Sequence, residues 1–411
     1  MRILTLTNLY PNPYQPHRAA FNRNQIRLLA ETHPVRIIAP IAWTDELAWR
    51  SRGGATLARG RRTRLDGLDV EHPRYLFTPR MFRATYGCCY RASVLPAFLR
   101  AIDEFRPEIL FAPWAYPDGW AAVELGRRAG IPVVVKVHGS DILLLDQHSS
   151  RKGPTSEALR RADAVIAVSR DLANRVVKLG AEPDRVRVIY DGVAKGRFAP
   201  GSKREARGRL GLDAETPIVL SVGNLVPVKG QDLLIEACAR LAAQGVRFRC
   251  CLVGQGPLRP ALQEQAARLG LGERFRMLGA LPQGELPDWY RAADVFALPS
   301  HSEGVPNVLL EAAACGTPFV ASRVGGIPEI EGIGPSELVP PNDPVALAEA
   351  LGRFLDDRGQ APRRPEAVRD VSETVDEMDQ LFEAVLGGRK QPTLDLVLET
   401  RRPSALSKEH P

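Results

Sequence analysis

A chain of 411 residues, 44 % hydrophobic and 25 % charged, is longer than one hydrophobic core usually supports, which excludes a small disulfide-held module and points to two domains of ordinary size. The formal charge of +7 is unevenly placed: residues 1–195 hold 30 Lys+Arg against 19 Asp+Glu, and the remainder holds 25 against 29. That basic half, with Arg50, Arg52, Arg59, Arg61, Arg62 and Arg64 in one Gly-containing segment, asks for an anionic partner such as a bilayer surface, a lipid pyrophosphate or nucleic acid, weighed against a solvated loop with none. The six cysteines include two adjacent pairs and no Cys-x-x-Cys, so reduced thiols and a cytoplasmic location are expected. The apolar run in MRILTLTNLYPN is too short for a signal core, and no stretch approaches the length of a membrane span.

The first half alternates strand and helix. Arg2 to Thr7 reads as a buried strand, followed by a loop with three prolines, a helix with Phe21, Gln25, Leu28 and Leu29 on one face, and the strand VRIIAP. The loop lies over the carboxyl end of the first strand, the edge at which open parallel sheets bind ligands. Residues 42–66 read as irregular. LDVEHP is a short strand, Tyr86 to Phe105 a helix with Val94, Leu95, Phe98, Leu99 and Ile102 inward, PEILFAP a strand, and DGWAAVELGRRAG a helix ending at Gly130. IPVVVKVHGSD is an apolar strand that runs directly into Lys136, His138, Gly139, Ser140 and Asp141, which puts His138 at the ligand edge; a satisfied core histidine is the plainer alternative. A strand, a helix capped by Ser169, a further strand and the turn Tyr190 to Val193 lead to a hinge near Gly196.

The second half repeats the alternation, which builds doubly wound parallel sheets. TPIVLSVGNLVPVKGQDLLIEACARL is strand, loop and helix, and the glycine and lysine ahead of that helix suit a diphosphate. Gly254-Gln255-Gly256-Pro257 lacks the third glycine and the later acid of a dinucleotide fingerprint, which argues against NAD. A turn follows at Gly279 to Leu281. ADVFAL is then a strand, Ser302, Glu303 and Gly304 a loop, and the helix after it opens with Pro306 in its first turn and stops at Gly316 and Pro318. Free amides at that helix start attract an anion, while Glu303 and Glu311 suit vicinal sugar hydroxyls. Residues 343–355 form another helix and residues 371–386 a last amphipathic one; the stretch from Gly387 to Pro411 reads as disordered.

Glu303-Gly-Val-Pro-Asn-Val-Leu-Leu-Glu311-Ala resembles the Glu-seven-residues-Glu signature of the retaining, nucleotide-sugar-dependent glycosyltransferases of family 4, and CGTPFVASRVGGIPEI resembles its continuation. VHGSD is similar to that family's strand-end histidine, VIYDGV to its join between domains, and the Gly223 to Gly230 loop to its phosphate loop. Two departures stand out: Asn224 occupies the place of the usual arginine, leaving Lys229 or Arg323 to supply charge, and Ala19 with Ala20 replaces a glycine near the first helix.

The resemblance spans about residues 1–386 and implies an α/β protein of two Rossmann-like doubly wound parallel-sheet domains facing across a cleft, the GT-B fold. Its divisions are an acceptor domain, 1–195; a nucleotide-sugar domain, 196–370; a helix crossing back, 371–388; and a disordered tail, 389–411. It implies glycosyl transfer with retention from a nucleotide-sugar to a saccharide or lipid-linked saccharide acceptor in cell-surface polysaccharide synthesis. His138, Lys229 and Glu303 would be catalytic. Gly223, Asn224, Lys229, Gly254 and Leu281 would bind the donor, together with Glu303, Gly304, Val305, Pro306, Asn307, Val308 and Glu311; Ala19, Ala20 and Asp141 would face the acceptor. No Asp-x-Asp pair is present, so no metal and no cofactor beyond the nucleotide-sugar are expected. The expected location is cytoplasmic, with peripheral contact to an anionic membrane face. Two other classes fit less of the chain: a non-catalytic nucleotide-sugar sensor, and a nucleic-acid binder using Arg50 to Arg64, which lacks interleaved aromatics and leaves Glu303 and Glu311 without a use.

Overall fold

The computed structural model describes residues 1–16, 18–51, 57, 60–79, 81–147, 149–356 and 368–388. Its first sheet has eight strands in the order Val186–Val188, Ala164–Ala167, Val133–Val137, Ile109–Ala112, Ile3–Leu6, Val35–Ile38, Leu68–Glu71 and Arg62–Leu65. All neighbours are parallel except the last two. The central strands are apolar at almost every position because helices cover both faces, as the wholly buried runs ILTL, ILFA and AVIA attest.

The second sheet is parallel throughout, in the order Phe275–Gly279, Arg249–Val253, Ile218–Val222, Val295–Leu298, Phe319–Ser322 and Ser336–Val339. Strand order reverses between Ile218–Val222 and Val295–Leu298, as it does between Ile3–Leu6 and Ile109–Ala112 in the first sheet. At such switch points the loops beyond the carboxyl ends diverge and leave a crevice.

The chain crosses between the domains twice. Val193 donates its N–H to the Arg369 carbonyl at 3.0 Å, and Val371 returns a bond to the Val193 carbonyl at 2.9 Å. Helix Val371–Gly387, capped by Asp370 with Glu373 in reciprocal contact, then packs on helix Ala20–Thr32 of the first domain. Phe382 is fully buried there with its ring 5.4 Å from Phe111.

Several expectations need correction. Residues 42–66 are not irregular throughout: Trp43–Arg50 is a helix, and Arg62–Leu65 pairs antiparallel with Leu68–Glu71 around Asp66 and Gly67, both at positive φ. Glu46 of that helix is buried and receives Arg61 and Arg74, so Arg61 serves an internal ion pair. Arg62 lies 3.6 Å from Glu71, while Arg52 and Arg59 fall outside the described residues. The first helix buries Asn22, Gln25, Ile26 and Leu29, a face turned from the expected one, because Phe21 leans toward His138. On helix Tyr86–Phe105 the buried face is Tyr90, Val94, Ala97, Phe98 and Ala101, leaving Leu95 and Leu99 exposed on its flank. Among the described residues no helix is long and apolar enough to cross a membrane. The tail 389–411 lies outside them.

Candidate active site

Three loops interlock at the switch point of the second sheet. Gly254, at φ 148°, lies so close to the first loop that a Cβ would stand 1.8 Å from the Gly223 carbonyl oxygen, and one on Gly256 would stand 2.3 Å from that of Leu225. Gly230, at φ 62°, begins helix Gln231–Ala243 and would meet the Pro299 carbonyl at 2.1 Å. Only glycine combines these backbone angles with so close an approach. His301 completes the weave with an N–H bond to the Val228 carbonyl at 2.8 Å.

This weave sets the side chains. The Lys229 ammonium donates to Glu303 Oε1 at 2.6 Å, and the Ser300 hydroxyl donates to the same oxygen at 2.7 Å. Lys229 also lies along Gly223, where its Cδ and Cε would touch any added Cβ at about 4 Å. Pro306 is the residue before helix Asn307–Ala314, one position earlier than expected, and Val305 is buried in the core. Asn307 Oδ1 is buried without a partner, and Val308 packs partly buried against the core. Glu311 accepts the Tyr290 hydroxyl at 2.8 Å. The residue is partly exposed, and burial of its carboxyl pushes its pKa up to about 7 against the Tyr290 bond and the Arg197 charge. Asn224 is exposed, Leu281 partly buried, and Arg323 is engaged by both oxygens of Glu331 rather than turned to the loop.

The first domain presents His138 opposite. Its ring stands 4.8 Å from Phe21 and 6.5 Å from Trp114, and its Nε2 is buried without a partner. Burial, helped by the Lys136 charge, drives its pKa down to about 3, so the imidazole is neutral. Ala19, at φ 48°, precedes helix Ala20–Thr32 and directs the loop toward Phe21. Its left-handed backbone is the conformation glycine takes at least cost. Asp141 is a correction: its carboxylate is turned inward and accepts N–H bonds from His138, Gly139 and Ala115 at 3.1, 2.9 and 3.2 Å, so it braces the turn instead of facing an acceptor. Burial raises it to about 6 in spite of those bonds.

The two sets of residues meet. A Cβ on Gly304 would lie 2.3 Å from the His138 carbonyl oxygen, and one on Gly139 would lie 2.8 Å from the Gly304 nitrogen. Glu303 and Lys229 therefore share one cleft with His138. Glu329, given no role from sequence, accepts N–H bonds from Arg170 and Asp171 at 2.8 and 2.9 Å and the Tyr190 hydroxyl at 2.6 Å. Also unforeseen were Ser300, Tyr290 and the pairing of Lys136 with Asp191. Ser300 lies three residues from Glu303 and is within reach of a local reading, whereas Tyr290 with Glu311, Lys136 with Asp191 and Tyr190 with Glu329 are 21, 55 and 139 residues apart.

Two family models match in succession: Glycosyltransferase Family 4 over residues 24–197 and Glycosyl transferases group 1 over residues 202–371. The D-inositol 3-phosphate glycosyltransferase of Streptosporangium roseum is 38 % identical over 58 % of this chain and 58 % of its own. That match and those to two further proteins of this name span 58–60 % of the relatives' length. TuaC of Bacillus subtilis, which bears the name putative teichuronic acid biosynthesis glycosyltransferase, is 29 % identical over 91 % of this chain and 94 % of its own. Among solved structures, sucrose-phosphate synthase from Thermosynechococcus elongatus superposes with a TM-score of 0.78 at 21 % identity, covering 95 % of this chain and 100 % of that one; the shared fold is GT-B.

Proposed function

This chain belongs to the family 4 glycosyltransferases, and on that premise we propose that it moves a sugar from a nucleotide-sugar to a saccharide or lipid-linked saccharide acceptor, with retention of configuration and without a metal or further cofactor. One observation carries the reading: the Lys229 ammonium and the Glu303 carboxylate, 2.6 Å apart, lie where two helix starts converge opposite His138. An ammonium at the start of Gln231–Ala243 is disfavoured by the helix dipole unless an anion is to arrive there. A diphosphate is such an anion, and Lys229 with the amides after Gly304 would offset the charge it gains as the sugar leaves.

In this reading the bond from the anomeric carbon to the diphosphate oxygen breaks while a bond to the acceptor hydroxyl forms on the same face. The acceptor proton passes to the departing diphosphate. Glu303 orients the sugar through its hydroxyls, and Glu311 holds the ribose. His138 supplies an uncharged ring beside the anomeric centre, where positive charge develops.

The similarity to TuaC along most of both chains supports an acceptor belonging to a polysaccharide. The basic balance of residues 1–195 supports peripheral contact with an anionic membrane from the cytoplasmic side, and the exposed Met81 and Phe82 of the first domain give such contact apolar anchors. Sugar nucleotides screened for protection against thermal unfolding, followed by turnover of those that protect, test the core of the reading. Turnover that disappears in Lys229→Ala and Glu303→Ala with the fold intact supports it; protection without turnover turns the protein into a sensor. Flotation with anionic vesicles but not neutral ones tests the membrane contact.

A further inference from the structure

Lys136 is an ammonium with no exposed surface, at the carboxyl end of the central strand Val133–Val137. It donates to Asp191 Oδ1 at 2.6 Å and to Gln25 Oε1 at 2.9 Å, while Gln25 donates back to the same Asp191 oxygen at 2.8 Å. The other Asp191 oxygen lies 3.9 Å from His138 Nδ1. Asp191 belongs to the join between the domains: the next residue, Gly192, is pressed so closely against Asp370 that a Cβ would lie 2.3 Å from its carbonyl oxygen. A buried cation, the join and the imidazole of the cleft are thus linked through one carboxylate.

Buried ion pairs seldom stabilise a fold more than apolar residues of like volume, so stability alone does not account for this one. A buried carboxylate beside an imidazole, left to itself, draws a proton onto the ring. Burial opposes that proton, the Pro113 carbonyl favours it, and among the charged groups facing His138 Lys136 is the one that opposes Asp191. Phe21 and Trp114 are uncharged rings, Asp141 is committed to three backbone amides, and the second domain brings the backbone of Gly304 beside a Glu303 already paired with Lys229.

We propose that Lys136 is a positioning residue: by neutralising Asp191 at the join it keeps His138 uncharged when the domains close on the donor. The inference rests on the proposed transferase reaction, in which an imidazolium would oppose the positive charge growing at the anomeric carbon. Burial disfavours the charged ring first, and the lysine that occupies the carboxylate beneath it widens the pH range over which the ring stays neutral.

The test compares Lys136→Met with the double variant Lys136→Met/Asp191→Asn, following the His138 ring by NMR against pH without substrate and assigning it with His138→Gln. In Lys136→Met the protonation midpoint of His138 should rise by roughly one pH unit or more, and the acidic limb of kcat should move up with it while the donor KM stays within about twofold. The double variant should bring both midpoint and limb back toward the parent. A midpoint unmoved in Lys136→Met, or a kcat that falls by one factor at every pH in both variants, overturns the proposal. Should Lys136→Met fail to fold, the double variant decides: removing both charges together spares the core an unpaired one, and a displaced midpoint there is equally fatal. If the wild type turns over no sugar nucleotide, the transferase reading falls, whereas the NMR midpoints still decide the role of Lys136.

Discussion

Glu329 reaches from the second domain to Tyr190 at the join and accepts its hydroxyl at 2.6 Å, while its carboxylate also receives the first two amides of helix Arg170–Lys178. Ser169 supplies the next bond, to the Leu172 N–H at 3.1 Å. The start of a first-domain helix is therefore completed by a residue of the other domain. Such a capping carboxylate is worth about 1–2 kcal/mol, enough to bias a domain equilibrium without deciding the fold. Glu329→Ala is expected to shift the population toward an open form, seen as a larger radius of gyration in solution scattering without donor, and to lower kcat/KM by roughly tenfold. Identical scattering curves for the two proteins would show that the clasp does not govern closure.

Gly304 offers a sharper version of the same question. An alanine there would place its methyl against the His138 carbonyl oxygen, 2.3 Å away, so the two loops must separate. The strands behind them need not move. Gly304→Ala should keep nearly the thermal midpoint of the parent but fail to compact on adding a nucleoside diphosphate, with turnover reduced by about 100-fold or more. Gly208→Ala, in helix Lys203–Arg209 with open space around it, is the control and should change neither. A Gly304→Ala enzyme of normal activity would mean that the loops never meet during the reaction.

How much of this was legible in sequence depends on range. Strands such as Val133–Val137, the caps at Ser169 and Gly130, and the helix after Pro306 announce themselves through local periodicity and backbone chemistry. Asp66-Gly67 is an equally local hairpin signal, set among arginines whose charge dominates the composition of that segment. Leu95 and Leu99 show the limit of periodicity: a helical repeat finds the apolar stripe, but only the neighbours decide how much of it they cover. Lys229 with Glu303 and Glu329 with Tyr190 span 74 and 139 residues, and no spacing rule reaches so far. Asp141 shows the same limit, because an aspartate after a strand has one sequence pattern whether its carboxylate faces a ligand or, as here, the amides of its own turn.

The pairing of Lys229 with Glu303 separates charge from grip. Removing the ammonium in Lys229→Ala should weaken nucleoside diphosphate binding and lower transfer by about 100-fold to 1,000-fold together. Glu303→Gln should behave differently. It removes a negative charge beside the diphosphate but keeps a partner for Lys229 and Ser300, so diphosphate affinity should hold or rise while transfer falls. Calorimetry with the nucleoside diphosphate and steady-state rates provide both numbers. Loss of diphosphate affinity in Glu303→Gln equal to that in Lys229→Ala would remove Glu303 from the sugar.

Asp118 makes a prediction about stability. It has no exposed surface, and Oδ2 accepts the Thr7 hydroxyl at 3.0 Å and the Asn8 N–H at 2.8 Å. Burial nonetheless raises its pKa to about 7, the Asn8 amide being the strongest restraint. The sign follows from linkage: below the unfolded value both states hold the proton and the native state is at its full strength. As pH climbs the unfolded chain releases that proton first, so stability drains away until the folded group ionises near neutrality. At about 1.4 kcal/mol per pH unit, the loss between roughly pH 4 and pH 7 is on the order of 3–4 kcal/mol. Asp118→Asn cannot titrate, so urea midpoints measured at about pH 4.5, pH 6 and pH 7.5 should fall less steeply with pH than in the wild type. Parallel slopes for the two proteins would mean that Asp118 ionises in its pocket as readily as in water.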